Sequence, residues 1–294
     1  MFSLEGYQAV HANGGVVRRT DRRVLAVSGA DRASWLQGLL TNDVASLAEG
    51  ESRYAAYLTP QGRMIADMNV VSREGRLLLD VPATLAGGLR ERLDGLIFSE
   101  DAQVTDESGH LLVWTLIDGQ LTDLIGESLP AEFKSLPEID LDTFEVIRIE
   151  RGVPRFLADM DEDTLPLEAG IEDRAISFTK GCYVGQEIIV RVTTRGGGRV
   201  AKRLVRWHAD DSAPVVPLPG ARIFSVDPST HVAPQQAEPP SLRAGRDIGR
   251  VTSAAFSPSL NRVVGLGYVH RDFVAPGTDV TIVWNDAPIK AVVK

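Results

Sequence analysis

Cysteine is nearly absent from this chain: Cys182 is the only one in 294 residues. A single thiol excludes an internal disulfide, and it cannot build an iron–sulfur cluster site by itself, because a cluster takes about four ligands. Long apolar runs are missing as well. No segment approaches about 18 uninterrupted apolar residues, and the start, Met1-Phe2-Ser3-Leu4-Glu5-Gly6-Tyr7, has no basic region followed by an apolar stretch. A cytoplasmic protein without a membrane partner is expected. Excess positive charge is lacking too: the net charge is −9 and the pI near 5.1. No nucleic-acid partner is expected, since phosphate binding needs a basic face. There is no internal repeat, heptad or nucleotide-binding loop; Gly196-Gly197-Gly198 lacks the Lys-Ser/Thr that a phosphate cradle requires.

What is present is an ordinary globular composition, 44% hydrophobic and 24% charged, in a chain long enough for two or three domains. The lone cysteine lies in Lys180-Gly181-Cys182-Tyr183-Val184-Gly185-Gln186-Glu187, a polar, turn-forming neighbourhood. A thiol reacts as thiolate, which a nearby ammonium or a cluster of backbone N–H groups favours, and Lys180 and the glycine-flanked backbone could supply both. The bland alternative is a small buried hydrophobe, but core cysteines usually sit in apolar runs. The setting favours an accessible, functional thiol.

Val24 to Val27 reads as a short strand, followed by a helix start with Ser28 as cap and Asp31 three residues on. Trp35, Leu36, Leu39 and Leu40 form one apolar helix face, ended by Thr41-Asn42-Asp43. Strand-like runs at 54–58, 63–71 and 76–81 are separated by Pro60-Gln61-Gly62 and Glu74-Gly75, both hairpin punctuation. Pro82 can open a second helix through Leu93, with further strands at 102–105 and 110–117. Asp142-Thr143-Phe144-Glu145 reads as a cap for a helix ending at Gly152. Glu150 then falls in the last turn, at the negative end of the helix dipole, unless something outside needs an acceptor; pairing with Arg151 or Arg155 is the plainer explanation. After residue 200, runs at 200–207, 221–225, 248–255, 262–269, 279–284 and 289–293 read as strands with little helix between them, which suits a small β-barrel. Pro214, Pro217, Pro219, Pro228, Pro234, Pro239 and Pro240 mark an exposed insertion at about 209–247. The class is α+β.

Together these segments resemble the YgfZ family, folate-binding relatives of the glycine-cleavage T protein. The octapeptide at 180–187 is the specific signature. Gly29-Ala30-Asp31 through Leu39-Leu40-Thr41-Asn42-Asp43-Val44, Gln61-Gly62-Arg63-Met64-Ile65-Ala66-Asp67, Arg148-Ile149-Glu150-Arg151-Gly152-Val153-Pro154, Leu165-Pro166-Leu167-Glu168 and Gly249-Arg250-Val251-Thr252-Ser253 continue the match in order over nearly the whole chain. The resemblance implies a three-lobed T-protein-like fold around a central cavity: a folate-binding region of two intertwined α+β lobes at 1–198 and a C-terminal β-barrel at 199–294. It implies tetrahydrofolate or a derivative as ligand. Glu150 matches the family position whose carboxylate meets the guanidine-like N–H edge of the pterin, a two-bond contact like that of carboxylate with arginine. Asp67 matches the aspartate that lies beside the reactive folate nitrogens in the T-protein branch; in a strand, it either does so here or points to solvent.

The hairpin departs from the T-protein pattern, with Gly62-Arg63-Met64 and Ala66 before Asp67 and no evident partner acid, which weighs against aminomethyl transfer. The function implied is therefore a tetrahydrofolate-binding accessory protein for assembly or repair of iron–sulfur proteins. In it Glu150 and Asp67 hold the pterin, Cys182 tuned by Lys180 faces the cavity or a partner, and no metal is held intrinsically. Gln186 and Glu187 would orient the loop or bond Lys180, Tyr183 would stack or pack, and Arg191 or Arg262 would meet the acidic folate tail or form surface ion pairs. The alternative is a one-carbon transferase, an aminomethyltransferase or demethylase, with Asp67 as the catalytic acid. Locally, 188–194 is β-branched enough for a strand, whereas Gly185-Gln186-Glu187 could begin a helix.

Overall fold

The computed structural model describes residues 1–195, 197–210, 215–226 and 245–294. Gly196, Pro214, Pro228, Pro234, Pro239 and Pro240 lie outside the described residues, and with them most of the proline-rich insertion. The chain forms two compact units. The first comprises Met1–Phe144, Asp161–Pro166 and Ile171–Arg191, the second Glu145–Met160, Leu167–Gly170 and Val192–Lys294.

In the first unit a five-stranded antiparallel sheet runs in the order Ser52–Leu58, Met64–Arg73, Arg76–Pro82, Arg22–Ser28, Gln103–Asp106. Side chains alternate across a strand, so Leu25 and Val27 face one way and Val24 and Ala26 the other. The first pair packs with Met68, Leu79, Trp35 and Leu36 in the main core. The second pair packs with Leu78, Leu111 and Val113 against a four-stranded sheet ordered Leu121–Gly126, Leu112–Ile117, Gly15–Arg18, Glu138–Ile139. Glu74 and Gly75 both adopt positive φ, 53° and 71°, as a two-residue hairpin turn requires.

Three helix starts differ from the sequence expectation. Ser28 ends a strand, and the helix is Arg32–Leu39. Asp31 stands at its N-cap but accepts from the Asp101 N–H instead of capping. Pro82 closes a strand and the next helix is Ala86–Asp94. In the helix Leu141–Arg151 the carboxylate that caps is Asp140, accepting from the Thr143 N–H at 2.8 Å, two residues before the expected Asp142. Its end is as expected, with Gly152 at φ 72°. Residues 188–194 are not a strand: Gln186–Val190 is helical and Arg191–Arg195 a π-helical turn. Packing overrides propensity there, with Ile189 fully buried and Ile188 filling the space where Gly62 has no side chain.

The second unit contains a closed six-stranded barrel: Lys202–Ala209, Arg262–His270, Asp247–Ser257, Arg222–Ser225, Asp279–Trp284 and Ala287–Val293, the last pairing back to the first. Trp207, Ile223, Val251, Val269, Ile282 and Ile289 belong to its core. Gly265 is required there, because an added Cβ would lie 2.2 Å from the Trp207 ring. A register shift between Val251 and Ser253 presents Thr252 and Ser253 to Asp159, whose Oδ1 accepts from both hydroxyls at 2.6 Å. Asp159 Oδ2 accepts from Arg148 Nη1 at 2.6 Å. Arg148 also donates to Glu145, to the Val153 carbonyl at 3.0 Å and to Ser253 at 2.8 Å, so each of its N–H groups has an acceptor.

The Arg148 and Asp159 side chains are 2% and 0% exposed. Removing one partner of such a pair strands a buried charge, at about 3–5 kcal/mol. Arg148→Met is expected to lower the urea-unfolding free energy by about that amount. A loss below about 1 kcal/mol would show that the pair carries little.

Candidate functional site

The signature octapeptide lies in the first unit, between the helices Glu172–Ala175 and Gln186–Val190. Lys180 is engaged by backbone carbonyls. Its Nζ donates to the carbonyls of Gln37, Leu40 and Asn42 at 2.6, 2.7 and 2.9 Å, at the C-terminal end of Arg32–Leu39. An ammonium has three donors, so none is left for Cys182, Gln186 or Glu187. The position is electrostatically apt, because the last carbonyls of a helix lack intrahelical partners and carry its negative pole. Burial pushes the Lys180 ammonium down to about 8, and the charge of Asp43 opposes that shift. The ammonium also lies 5.2 Å from the centroid of the Tyr183 ring. Tyr183 is buried, so of its two expected roles it packs, and burial pushes its phenol up to about 12.

The rest of the loop is tied to the same helix and to the residues that follow it. The Val184 N–H donates to Gly38 and the Ser177 N–H to Thr41, while the Thr41 hydroxyl donates to Ala175 at 2.6 Å. Gly185 turns the chain with φ 85°; an added Cβ would lie 2.6 Å from the Thr59 carbonyl oxygen. Gly181 has nothing within contact of such a Cβ, so its place in the signature is not a packing requirement. Gln186 is half-buried and Glu187 is exposed in the first turn of the following helix, where a carboxylate suits the dipole. Cys182 is exposed. It projects from a loop held on both sides.

Asp67 does not point to solvent. It is buried in the five-stranded sheet, where Arg22 Nη1 donates to Oδ1 and the Tyr54 hydroxyl to Oδ2, each at 2.9 Å. The partner acid that the sequence hid is Asp80, whose Oδ1 accepts from Arg22 Nε at 2.6 Å. Burial and the charge of Asp67 raise the Tyr54 phenol well above its ordinary range, so it stays a donor. Arg174 lies over the Tyr54 ring at 4.3 Å. Asn42, whose carbonyl seats Lys180, donates through Nδ2 to the carbonyls of Tyr54 and Arg174 at 2.9 and 2.8 Å. The signature loop and Asp67 are thus joined through Asn42 and Tyr54. Arg22, Tyr54, Asp80 and Arg174 were missed from sequence; a charged residue inside Leu77-Leu78-Leu79-Asp80-Val81 was the available signal.

Glu150 belongs to the second unit, half-buried in the last turn of Leu141–Arg151. Arg206 Nη1 donates to its carbonyl at 3.3 Å, so a cation meets the helix end that the carboxylate would disfavour. The Arg206 stem crosses where a Cβ on Gly152 would stand, 2.3 Å from its Cδ. Arg206, Arg203 and Leu266 line a cleft of about 520 Å³ beside Gly152 and Gly170. Arg191 is exposed in the first unit, and Arg262, in the second, donates to the Leu260 carbonyl at 3.3 Å.

Asp80 gives the site a pH signature. Burial raises its carboxyl from 3.8 to about 7 against the opposing charge of Arg22, and its Oδ2 has no hydrogen-bond partner. A raised folded-state value means that the folded protein holds the proton more tightly than the unfolded chain. The contribution is complete below about 4 and is lost as pH rises through about 7. Asp80→Asn removes this titration. Urea unfolding of wild type should lose free energy between about pH 4.5 and 7.5 relative to the variant; parallel profiles would contradict the assignment.

Residues 202–294 match the glycine cleavage T-protein C-terminal barrel domain. The chain is 30% identical over 213 residues to an uncharacterised protein of Haemophilus influenzae, covering 67% of this chain and 75% of that one. It is 27% identical over 290 residues to a mitochondrial iron–sulfur cluster assembly factor IBA57 homolog of Phaeosphaeria nodorum, covering 82% and 68% respectively. Among solved structures, the glycine cleavage system aminomethyltransferase T from Bartonella henselae has the same fold, with a TM-score of 0.79 at 19% identity over 99% of this chain and 87% of that one. With the signature loop, the barrel and these relatives in agreement, the chain belongs to the YgfZ family, related to the glycine-cleavage T protein.

Proposed function

We propose that this protein is a tetrahydrofolate-binding accessory factor for the assembly or repair of iron–sulfur proteins, and that Cys182 is its point of contact with a client or assembly partner. The observation that carries this is the exposed thiol on a loop whose lysine is committed to anchoring it. The likeness to the IBA57 homolog supports the iron–sulfur setting. One cysteine cannot house a cluster, so any contact of Cys182 with one is shared with a partner protein or transient. Nor does any helix among the described residues have the length and apolarity to cross a membrane.

For the folate, each candidate carboxylate suits one part of the chemistry. The Glu150 carboxylate can accept two parallel N–H bonds from the pterin edge. Asp67, held in place by hydrogen bonds from Arg22 and Tyr54, can stabilise positive charge on a ligand nitrogen. The T-protein-like fold together with this buried acid favours a second reading, a one-carbon transferase, in which Asp67 acts as a fixed charge. Turnover that survives Cys182→Ala but is lost in Asp67→Asn would select it.

Tetrahydrofolate is expected to change the tryptophan fluorescence saturably, and Glu150→Gln to weaken binding by about 10- to 100-fold, the worth of one charged hydrogen-bonded contact. A flat titration, or equal affinity in the variant, would remove the folate role. Cells carrying Cys182→Ala are expected to lose activity of iron–sulfur enzymes under oxidative stress; wild-type activity would remove the thiol role.

A further inference from the structure

The turn between Gly15–Arg18 and Arg22–Ser28 reads Arg18-Arg19-Thr20-Asp21-Arg22-Arg23, a concentration of positive charge in a chain of net charge −9. Its arginines divide into two kinds. Arg19 is buried, with Nε and Nη2 donating to the two oxygens of Asp21 at 2.8 and 2.9 Å, Nη1 donating to Thr115 at 3.1 Å, and the guanidinium 4.8 Å from the Phe144 ring. Arg22 is held between Asp67 and Asp80. Arg18 and Arg23 are exposed, and among the described residues neither side chain has a hydrogen bond or ion pair; Arg23 acts on Asp106 only through its field.

A cleft of about 190 Å³ opens between this turn and residues 108–113, lined by Arg18, Thr20, Arg22, Arg23, Ser108 and Val113 among others. Its walls are fixed. The Arg19 N–H donates to Val113 at 2.9 Å, and the Ser108 hydroxyl lies 3.3 and 3.4 Å from the Val24 N–H and carbonyl. The inner arginines are locked by carboxylates, so the turn presents the outer two from a rigid base. We propose that this cleft binds a small phosphate-class anion, held by Arg18 and Arg23 with Arg22 in its wall.

The chemistry of the lining selects that class. A guanidinium offers a planar fork of donors that matches two oxygens of a phosphate, and the Thr20 hydroxyl adds a neutral donor. The volume selects the size: pockets for drug-sized molecules run from about 300 Å³ upward, so an ortho- or diphosphate group fits where a whole nucleotide does not. Arg22 is shared with Asp67, which places this anion site next to the buried acid network. It stands independently of any folate or thiol role.

Isothermal titration of the full chain with inorganic pyrophosphate at low ionic strength, with orthophosphate as a second arm, tests this. Saturable binding at one equivalent is expected, weakening as salt is raised. The double variant R18Q/R23Q should lose affinity by about 10-fold or more while its unfolding midpoint stays unchanged, because both side chains are exposed and unpaired. The single variants R18Q and R23Q should each lose part of it, and they carry the test if the double variant does not fold. Tighter binding of pyrophosphate than of orthophosphate would assign a diphosphate group, and equal binding a single phosphate. Absence of saturation, or undiminished affinity in the variants, would overturn the proposal.

Discussion

The ammonium of Lys180 on the last carbonyls of Arg32–Leu39 is the contact on which the signature loop depends. Desolvating a lysine is unfavourable, and it is tolerated here because the carbonyls of Gln37 and Leu40 at the helix end and of Asn42 just beyond it converge on one group with three donors. The consequence is a division of labour within the octapeptide. Lysine anchors, Tyr183 packs beneath the ammonium, Gly185 lets the chain turn where a side chain would strike Thr59, and the cysteine is left outside. The sequence suggests a thiol beside a tuning lysine; the structure adds that the same lysine fixes the loop that presents the thiol.

Each unit also carries a buried arginine that gathers two carboxylates: Arg22 with Asp67 and Asp80 in the first, Arg148 with Asp159 and Glu145 in the second. Ion pairs of this kind add little net stability over an apolar replacement, yet breaking one is costly, so they fix geometry more than they strengthen it. In the first unit the result is an aspartate whose two oxygens are both engaged, which fixes its orientation. In the second, the bulge of the Asp247–Ser257 strand is pinned to the chain that follows Leu141–Arg151, the helix that bears Glu150. Both networks give a candidate ligand-binding carboxylate a rigid base.

Much of this was legible in the sequence. Alternating apolar residues after position 200 gave a barrel because each strand buries one face, and Glu74-Gly75 and Gly152 marked turns that need positive φ. The family motifs led to Cys182, Lys180, Asp67 and Glu150. What could not be read were partners fixed by tertiary structure. Arg22 and Asp80 are 58 positions apart, and Lys180 reaches carbonyls about 140 positions earlier, so no local pattern links them. Residues 188–194 have strand propensity, but burial of Ile189 and the space left by Gly62 decide for a helix. Asp31 and Asp140 show the same limit on a smaller scale: several acids near a helix start can cap it, and which one does depends on what else competes for each carboxylate.

Amide hydrogen exchange across residues 177–186 tests the anchoring of the loop most directly. The Val184 N–H, which donates to the Gly38 carbonyl at 3.2 Å, is the reporter. Protection at Val184 should be present in the wild type, retained in Cys182→Ala and lost in Lys180→Met, while amides of the five-stranded sheet stay protected throughout. Undiminished protection at Val184 in Lys180→Met would contradict the account, since the loop would then hold its shape without the lysine.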